Sequence, residues 1–312
     1  MGGVLGIGLA RSLGFLGGGE VLSSANPQSE KPRLPPASHF LVAGRTAPAA
    51  WSSVDFASMD LRNSGEISEL VAKVRPSAIL HGAAMARPSE CESNPEAAWK
   101  VNTESTLEAV EAAKRVGARL VFCSTDQVFD GLAEQYPEDA RPNPLQVYGA
   151  TKVAAEGAVL EGGGTVIRLP LLLGPEAAPG RMGADHALLR ASQLGRSIGL
   201  FLDEVRVPAD AAWLAAPLWR LLQGKDLPAI ANQPRVYHLA GSQAVSRFEI
   251  GEQVCKVAGV PFEHGRSTLS EWHGVPRPPR LVLTCQRAER ELGFTPPDLQ
   301  QSLAWVNFVP LD

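Results

Sequence analysis

The chain has 312 residues, of which 45% are hydrophobic and 20% are charged, and its formal net charge is -4. This composition is typical of a globular protein, and the length is sufficient for one large α/β unit or two modest domains. A small negative net charge does not indicate a positively charged surface for nucleic acid or an anionic membrane. No run approaches the roughly 20 apolar residues that cross a bilayer, so we expect neither nucleic acid nor a membrane as a partner.

The chain contains four cysteines, Cys91, Cys123, Cys255 and Cys285. They are widely spaced and form no CxxC pair. This spacing predicts neither a zinc site nor a disulfide framework, and the histidines show no metal-ligand spacing. We expect reduced thiols in or near the core of a cytoplasmic protein. The Gly-rich stretch from Met1 to Leu16 lacks the basic region and cleavage site of a signal peptide.

Short apolar runs alternate with helical patterns in the first half of the chain. The predicted strands are Phe40–Ala43, Ala78–Leu80, Arg119–Cys123 and Thr165–Leu169. The predicted helices are Ile67–Val74, Glu96–Val116 and Tyr148–Leu160. Strands that alternate with helices of this length indicate βαβ units with right-handed crossovers, and therefore a parallel sheet with helices on both faces.

After Gly174 this alternation changes. Helical patterns near 187–193, 211–222 and 248–257 are separated by loops that contain Pro and Gly, and Tyr237–Ala240 is a late strand. We predict an α/β fold with a Rossmann-like, doubly wound parallel sheet in residues 1–174. Residues 175–312 form a smaller lobe that lies on the carboxyl edge of the sheet and is interleaved with the first domain.

Gly3 and Gly6 precede a plausible helix at Leu9–Leu13. A Gly-rich turn at a helix N-terminus lets backbone N–H groups approach a pyrophosphate, but that fingerprint follows a strand, and too few residues precede these glycines to form one. The alternative for this glycine-rich stretch is a flexible N-terminus without a binding role. Two segments are candidates for the second strand, Glu20–Leu22 and Phe40–Ala43. We expect a chain without its first strand to be marginally stable and to bind a dinucleotide weakly, and an added apolar strand to improve both.

The pattern Tyr148-Gly149-Ala150-Thr151-Lys152 places a phenol and an ammonium group four residues apart in a predicted helix. Residues i and i+4 share one helix face, so we expect the ammonium of Lys152 near the phenol of Tyr148. A nearby cation lowers the pKa of a tyrosine from its ordinary value of about 10, which would make Tyr148 a general acid at neutral pH. An exposed Tyr/Lys pair on a helix surface is the alternative for this pattern taken alone.

Polar residues end the predicted strand that precedes this helix. Ser124, Thr125 and Asp126 are expected at the carboxyl edge of the sheet, which is where α/β proteins bind ligands. Asn102 lies upstream, in the long predicted helix. The order of these residues before the tyrosine and the lysine is a more specific signal than the tyrosine–lysine pattern alone.

The order of these motifs resembles the extended short-chain dehydrogenase/reductase superfamily and, within it, dTDP-4-dehydrorhamnose reductase. The segments that carry the resemblance most strongly are Ser124-Thr125-Asp126-Gln127-Val128-Phe129-Asp130-Gly131 and Pro144-Leu145-Gln146-Val147-Tyr148-Gly149-Ala150-Thr151-Lys152. Further segments are His81-Gly82-Ala83-Ala84, Glu90–Pro95, Val101-Asn102, Asp203–Pro208, Tyr237–Gly241 and Arg277-Pro278. Together they extend from about Met59 to Phe294.

The resemblance implies reduction of a 4-keto sugar that is linked to a nucleoside diphosphate, so the implied partner is a sugar nucleotide. The resemblance also implies that Thr125, Tyr148 and Lys152 are catalytic. In this interpretation Thr125 binds the substrate oxygen, Tyr148 donates the proton, and Lys152 binds the nicotinamide ribose. Thr125, Asp126 and Arg277 bind the substrate, and an arginine suits a diphosphate because it donates two hydrogen bonds. A homodimer is the implied assembly.

The resemblance also implies NADP or NAD as the cofactor, bound by residues 1–174, with residues 175–312 as the substrate-binding lobe. Arg45 follows the second strand and would pair with a 2′-phosphate, which favours NADP; an exposed arginine without this role is the alternative. The other implied cofactor-binding residues are Gly3, Gly6, Asp60, Leu61, Ala83, Ala84, Asn102, Ser124, Tyr148 and Lys152.

The sequence departs from the reductases at its start, where the first strand and first glycine are missing, and in two later motifs. His81 replaces the usual asparagine, and Leu171-Leu172-Leu173-Gly174 replaces an aromatic segment that lies against the sugar, so the sugar stays open. A sugar-nucleotide epimerase or dehydratase is a second interpretation. A non-catalytic NADP-binding subunit, resembling the regulatory subunit of methionine adenosyltransferase, is a third. The incomplete glycine loop favours this third interpretation, and the intact catalytic residues argue against it.

Overall fold

The structure, a computed structural model, describes residues 41–45, 55–174, 183–224 and 235–304. The glycine-rich start with Gly3 and Gly6 lies outside these ranges, as does Glu20–Leu22. The expectations of marginal stability and weak dinucleotide binding therefore stay predictions. The other candidate for the second strand, at Phe40–Ala43, is a strand in the structure, with bounds Leu41–Gly44.

Strands and helices alternate along most of the described chain. The strands are β1 Leu41–Gly44, β2 Asp55–Ser58, β3 Ala78–His81, β4 Arg119–Thr125, β5 Thr165–Leu169, β6 Leu172–Leu173, β7 Gly199–Phe201, β8 Val205–Arg206, β9 Ala209–Asp210, β10 Arg235–His238, β11 Val245–Ser246, β12 Gly265–Ser267 and β13 Arg280–Leu281. The α-helices are α1 Glu66–Val74, α2 Pro88–Ser93, α3 Pro95–Trp99, α4 Ser105–Val116, α5 Val147–Glu161, α6 Ala184–Gln193, α7 Ala215–Gln223, α8 Arg247–Ala258, α9 Gln286–Leu292 and α10 Leu299–Leu303.

A four-stranded parallel sheet in the order β10-β5-β4-β3 lies at the centre of the fold. β1 and β2 form a separate parallel pair, and within the described ranges no strand is hydrogen-bonded to both β1 and β3. Parallel neighbours joined through helices are the βαβ arrangement that the sequence predicts. The fold is therefore the predicted Rossmann-like α/β fold.

β4 is buried on both faces because helices cover both sides of the sheet. Leu120 and Phe122 pack against residues of α4 and α5, whereas Val121 and Cys123 belong to a cluster that includes residues in and before α7. Successive residues of a strand point to opposite faces, so this alternation assigns one helix layer to each face. The result is the continuous apolar run that marks a strand buried on both sides.

A second apolar cluster holds the lobe together and joins α6 and α8 with β7 and α10. In the same region β8 pairs with β11 in antiparallel fashion and with β13 in parallel fashion. This small sheet brings together three segments that lie far apart in the sequence. The boundary at residue 174 stays a prediction, and β10, which follows it, pairs with β5 in the main sheet.

The structure differs from the predicted elements in a few places. The long helix predicted over Glu96–Val116 contains a π-helical turn, Lys100–Glu104, between α3 and α4. The apolar pattern alone does not predict β2, because its residues are mostly exposed and give no apolar run. In the part of the chain that the structure describes, no helix has the length and apolar character needed to span a membrane.

Candidate active site

The end of β4 and the start of α5 meet at the carboxyl edge of the sheet. β4 ends at Thr125, whose hydroxyl accepts a hydrogen bond at 3.2 Å from the backbone N–H of Gln127 in the following turn. Gly149 in the first turn of α5 lies against the Gln127 carbonyl so closely that a Cβ would not fit. The glycine after Tyr148 therefore lets α5 pack on the end of β4, with Tyr148 beside Thr125.

Tyr148 is 7% exposed and packs in a small cluster with Cys91 and Ala98. Burial raises the pKa of its phenol above the ordinary value, the neighbouring Thr125 hydroxyl lowers it by less, and the charge of Asp126 raises it further. The prediction that the phenol has a lowered pKa is therefore wrong, because burial dominates and the ammonium of Lys152 binds another group. Tyr148 keeps its proton at neutral pH.

Lys152 is almost fully buried, at 1% exposure. Its Nζ donates a hydrogen bond to the Cys123 carbonyl at 2.7 Å and lies 3.8 Å from the centroid of the Phe122 ring. Burial lowers the pKa of this ammonium to about 8, against the raising effects of Cys123 and the Glu156 carboxylate. Both direct contacts suit a cation, because a carbonyl oxygen and the face of an aromatic ring are electron-rich.

Asn102 lies in the π-helical turn and binds the irregular segment that follows β3. Its Oδ1 accepts from the backbone N–H of Met85 at 2.8 Å, and its Nδ2 donates to the Met85 carbonyl and to Thr151 Oγ1, each at 3.0 Å. Ala83 and Ala84 lie in this same segment, at intermediate burial. Asn102 therefore ties the segment of Ala83 and Ala84 to α5 at the residue before Lys152.

A shallow cavity of about 310 Å³ lies at the carboxyl ends of β1 and β2, lined by Arg45, Ser58, Met59, Asp60, Asn63 and Glu66. The Asp60 carboxylate is bound by Nε and Nη2 of Arg62, and these bonds hold the pKa of Asp60 at about 2. Leu61 turns inward and packs against the cluster of Ile67 and Val71. Arg45 and Asp60 thus share one cavity, whereas Leu61 is not among the residues that line it.

A cluster of charged residues from the lobe lies next to Asp126. Glu204 accepts hydrogen bonds from Arg277 at 2.5 and 3.0 Å and forms an ion pair with Arg206 at 2.9 Å. Arg247 joins the cluster through its backbone N–H, which donates to the Glu204 carbonyl at 2.9 Å. Arg206 lowers the pKa of Asp126, but burial has the larger effect and raises it to about 6. Arg277, predicted to be a diphosphate ligand, is thus largely occupied by Glu204.

Three buried polar atoms around this cluster have no hydrogen-bond partner among the residues that the structure describes. They are Asp126 Oδ2, Gln146 Oε1 and Arg247 Nη1. Gln146 precedes the first turn of α5, and its Nε2 donates to the Pro276 carbonyl next to Arg277. Buried polar groups are normally paired, so these atoms mark a place where a polar ligand would complete the hydrogen bonds. In the same described ranges no group of His, Cys, Asp and Glu is arranged to hold a metal ion.

Gln146 and Arg247 were not predicted to be site residues. Gln146 lies inside the Pro144–Lys152 motif, which is a signal that was available. Arg247 carries no comparable signal, because it reaches the site only through the β8–β11 pairing and the first turn of α8. Ser124 was predicted to bind the cofactor, but its hydroxyl donates to Glu156 at 2.5 Å.

The fold together with this site defines a protein of the extended short-chain dehydrogenase/reductase superfamily. Residues 40–307 match the family described as the RmlD substrate binding domain, and the chain belongs to that family. The match covers the central sheet, the candidate site and the lobe. The comparisons below refine what the chain is similar to within this family.

Methionine adenosyltransferase 2 subunit beta of Xenopus laevis is 30% identical over 239 residues, which cover 75% of this chain and 71% of that protein. The probable low-salt glycan biosynthesis reductase Agl14 of Haloferax volcanii is 28% identical over 257 residues, covering 79% and 82%. Among solved structures, dTDP-4-dehydrorhamnose reductase from Bacillus anthracis in complex with NADP has a TM-score of 0.73, with 22% identity and coverage of 85% of this chain and 96% of that one. The chain is therefore similar both to reductases and to a methionine adenosyltransferase subunit.

Proposed function

We propose that the chain reduces a 4-keto sugar linked to a nucleoside diphosphate, with NADPH or NADH as the reductant. The observation that carries the proposal is the group at the end of β4: the buried, protonated phenol of Tyr148 beside the Thr125 hydroxyl, one helical turn from the buried ammonium of Lys152. Reduction of a ketone develops an alkoxide, and a positioned phenol can protonate it. Membership of the RmlD family and the similarity to Agl14 support the proposal.

The nicotinamide cofactor supplies the hydride when it is bound. Tyr148 donates its phenolic proton to the substrate oxygen, and Thr125 donates a hydrogen bond to that same oxygen. The raised pKa of Tyr148 ensures that this proton is present at neutral pH. Lys152 would bind the ribose hydroxyls of the cofactor.

We assign the cofactor to the carboxyl ends of β1 to β4. Asn102 holds Ala83 and Ala84 as one wall, and the cavity with Arg45 and Asp60 takes the adenosine. Arg45 would pair with a 2′-phosphate and favour NADP over NAD. Contacts from Gly3 and Gly6, and the division into a cofactor domain and a substrate lobe at residue 174, are part of the same proposal.

The substrate occupies the opposite side of Tyr148. Asp126 Oδ2 and Gln146 Oε1 accept from sugar hydroxyls, and Arg247 Nη1 donates to an acidic group of the sugar nucleotide. Arg277 contacts the substrate only through the guanidinium N–H groups that Glu204 leaves unused. A homodimer and a cytoplasmic location stay predictions.

The test uses the purified 312-residue chain. We expect NADPH fluorescence to change on binding, and NADPH to be oxidised when a dTDP- or UDP-linked 4-keto sugar is added. Product analysis separates reduction from epimerisation or dehydration, because these return the cofactor without net oxidation. Binding of NADPH without oxidation by any 4-keto sugar nucleotide would rule out the reductase.

A non-catalytic NADP-binding regulatory subunit is the second candidate. The 30% identity to methionine adenosyltransferase 2 subunit beta favours it. Under this candidate the chain binds a methionine adenosyltransferase catalytic subunit, which size-exclusion chromatography of the mixed proteins measures directly. Co-elution without NADPH oxidation supports the regulatory subunit, whereas oxidation that depends on Tyr148 supports the reductase.

A further inference from the structure

One face of α5 carries three buried residues at intervals of four: Tyr148, Lys152 and Glu156. This face packs on the end of β4. Tyr148 lies beside the Thr125 side chain, and Lys152 binds the Cys123 carbonyl at 2.7 Å. Tyr148 and Lys152 therefore contact the residues of β4 on either side of Ser124. Ser124 itself is contacted by the third residue of this face.

Glu156 makes that third contact. Its Oε1 accepts a hydrogen bond from the Ser124 hydroxyl at 2.5 Å, and its carboxylate accepts two further short bonds from Arg168, at 3.0 Å from Nε and 2.7 Å from Nη2. Arg168 lies directly opposite Ser124 in the pairing of β5 with β4. Glu156 thus binds two neighbouring strands at one level of the sheet.

The partners of Glu156 are themselves held in place. The Arg168 guanidinium lies 5.0 Å from the centroid of the Phe129 ring, and its Nη1 is 3.4 Å from His238 Nε2 on β10. Nδ1 of His238 is 3.1 Å from the Thr284 carbonyl. A buried ion pair is stable only when its remaining polar atoms are satisfied, and here the contacts extend across β4, β5 and β10.

We propose that Glu156 is a positioning residue for the candidate active site, which acts by fixing Ser124 and, through it, the Cys123 carbonyl and the Thr125 hydroxyl on either side. The proposal rests on the proposed function, because its consequence is the alignment of Lys152 and Thr125 with Tyr148. It assigns to Ser124 a structural hydrogen bond instead of a cofactor contact. It also explains why Glu156 is charged and buried on a helix that is otherwise small and apolar at this level.

The test variant is Ser124→Ala, which removes the link to β4 and leaves the Glu156–Arg168 ion pair intact, so the chain keeps its fold. We expect kcat to fall about tenfold, the scale of a small misplacement of catalytic groups, with a smaller change in the KM for the sugar nucleotide. The matched control is Glu291→Gln, which removes another buried carboxylate that accepts from the Tyr237 hydroxyl at 2.8 Å. This control should lower the melting temperature and leave kcat unchanged.

A second readout does not need turnover: the titration of the Lys152 ammonium followed by NMR in wild type, Ser124→Ala and Glu156→Gln. Glu156 raises the pKa of Lys152, so Glu156→Gln should move its titration to lower pH, and Ser124→Ala should move it as the Cys123 carbonyl shifts. The other titratable groups that face Lys152 are His81 from β3, kept neutral by burial, and Cys123. The Lys152 titration should be unchanged in Glu291→Gln.

The proposal is overturned if Ser124→Ala keeps wild-type kcat and a wild-type Lys152 titration, or if Glu291→Gln alters both as strongly. If wild type reduces no keto sugar, the proposed function fails separately, and the Lys152 titration alone decides the positioning role. A shift in Ser124→Ala and Glu156→Gln but not in Glu291→Gln then supports it, and three unshifted titrations overturn it.

Discussion

The two sides of Tyr148 are built differently. On the helix side, the Lys152 ammonium donates a hydrogen bond to the Cys123 carbonyl, and the Glu156 carboxylate accepts from Ser124 and Arg168. On the lobe side, Asp126, Gln146 and Arg247 each leave a buried polar atom without a partner among the described residues. On the helix side each buried charged group has a hydrogen-bond partner, whereas on the lobe side three buried polar atoms have none among the described residues.

This difference separates the two tasks of an enzyme site. Catalytic groups must be held in place before the substrate binds, because their reorganisation during the reaction would cost rate. Groups that select a substrate gain affinity when the ligand satisfies them, and they reject a ligand that leaves them unpaired. Under the proposed function, we expect the helix side to determine kcat and the lobe side to determine which sugar nucleotide binds.

The largest expected effect is that of Tyr148→Phe. Loss of the proton donor should lower turnover by about two orders of magnitude or more, which is the usual scale for a general acid. NADPH affinity should change little, because the ring still fills its buried position. Steady-state NADPH oxidation and a fluorescence titration measure the two effects, and wild-type turnover in this variant would refute the assignment of Tyr148.

Asp126→Asn tests how much the buried Asp126 carboxylate, on the lobe side of Tyr148, lowers the free energy of unfolding. Burial raises the pKa of Asp126 to about 6, so the folded state holds an extra proton between its ordinary pKa and that value, and stability falls as pH rises through this window. Asparagine avoids the charge, so the variant should gain up to about 3 kcal/mol of unfolding free energy above about pH 6 and almost nothing near pH 4. Urea unfolding at both pH values measures the gain; an equal gain at both would show that ionisation of Asp126 is not its cause.

Arg45→Ala probes the adenosine end, where the side chain is exposed. If Arg45 pairs with a 2′-phosphate, the variant should lose about 1–3 kcal/mol of NADPH binding, the scale of a charge-assisted hydrogen bond, and almost none of NADH binding. Parallel titrations with the two cofactors make the comparison. Equal losses for NADPH and NADH would remove the 2′-phosphate role.

The smallest effect compares two arginines of the lobe. Arg247→Gln should weaken binding of dTDP or UDP about tenfold, because its Nη1 is the unpaired donor. Arg277→Gln should weaken that binding less and lower stability more, because it leaves the Glu204 carboxylate without its closest partner. Calorimetric titration with the nucleotide and thermal melting of both variants measure these effects. A larger loss of nucleotide affinity in Arg277→Gln than in Arg247→Gln would contradict the assignment of Arg247 as the stronger contact.

The sequence predicts the framework of this molecule well, because the framework depends on local patterns. The strand predicted at Thr165–Leu169 has those bounds, and the helix that carries Tyr148 and Lys152 is present. The direction of the Tyr148 pKa shift was wrong, because burial depth is a property of the packed fold and not of residue spacing.

Other features of the site depend on contacts between distant segments. Glu204, Arg247 and Arg277 meet only because β8 pairs with β11 and β13, and no short motif encodes that meeting. The ion pair of Glu156 with Arg168 likewise needs the packing of α5 on β4 and β5. Polar residues at the end of a strand could be predicted as a site, whereas their partners from the lobe could not.

All four cysteines are free and buried, so their reaction with an alkylating reagent can report local opening of the fold. Burial raises the pKa of the Cys123 thiol to about 12 and also raises that of Cys255, so neither forms the reactive thiolate in the closed fold. Alkylation therefore proceeds only through transient openings, and its rate measures their free energy. Cys123 lies near the carboxyl end of β4 and Cys255 lies in α8 of the lobe, so their alkylation rates report local opening of β4 and of the lobe separately.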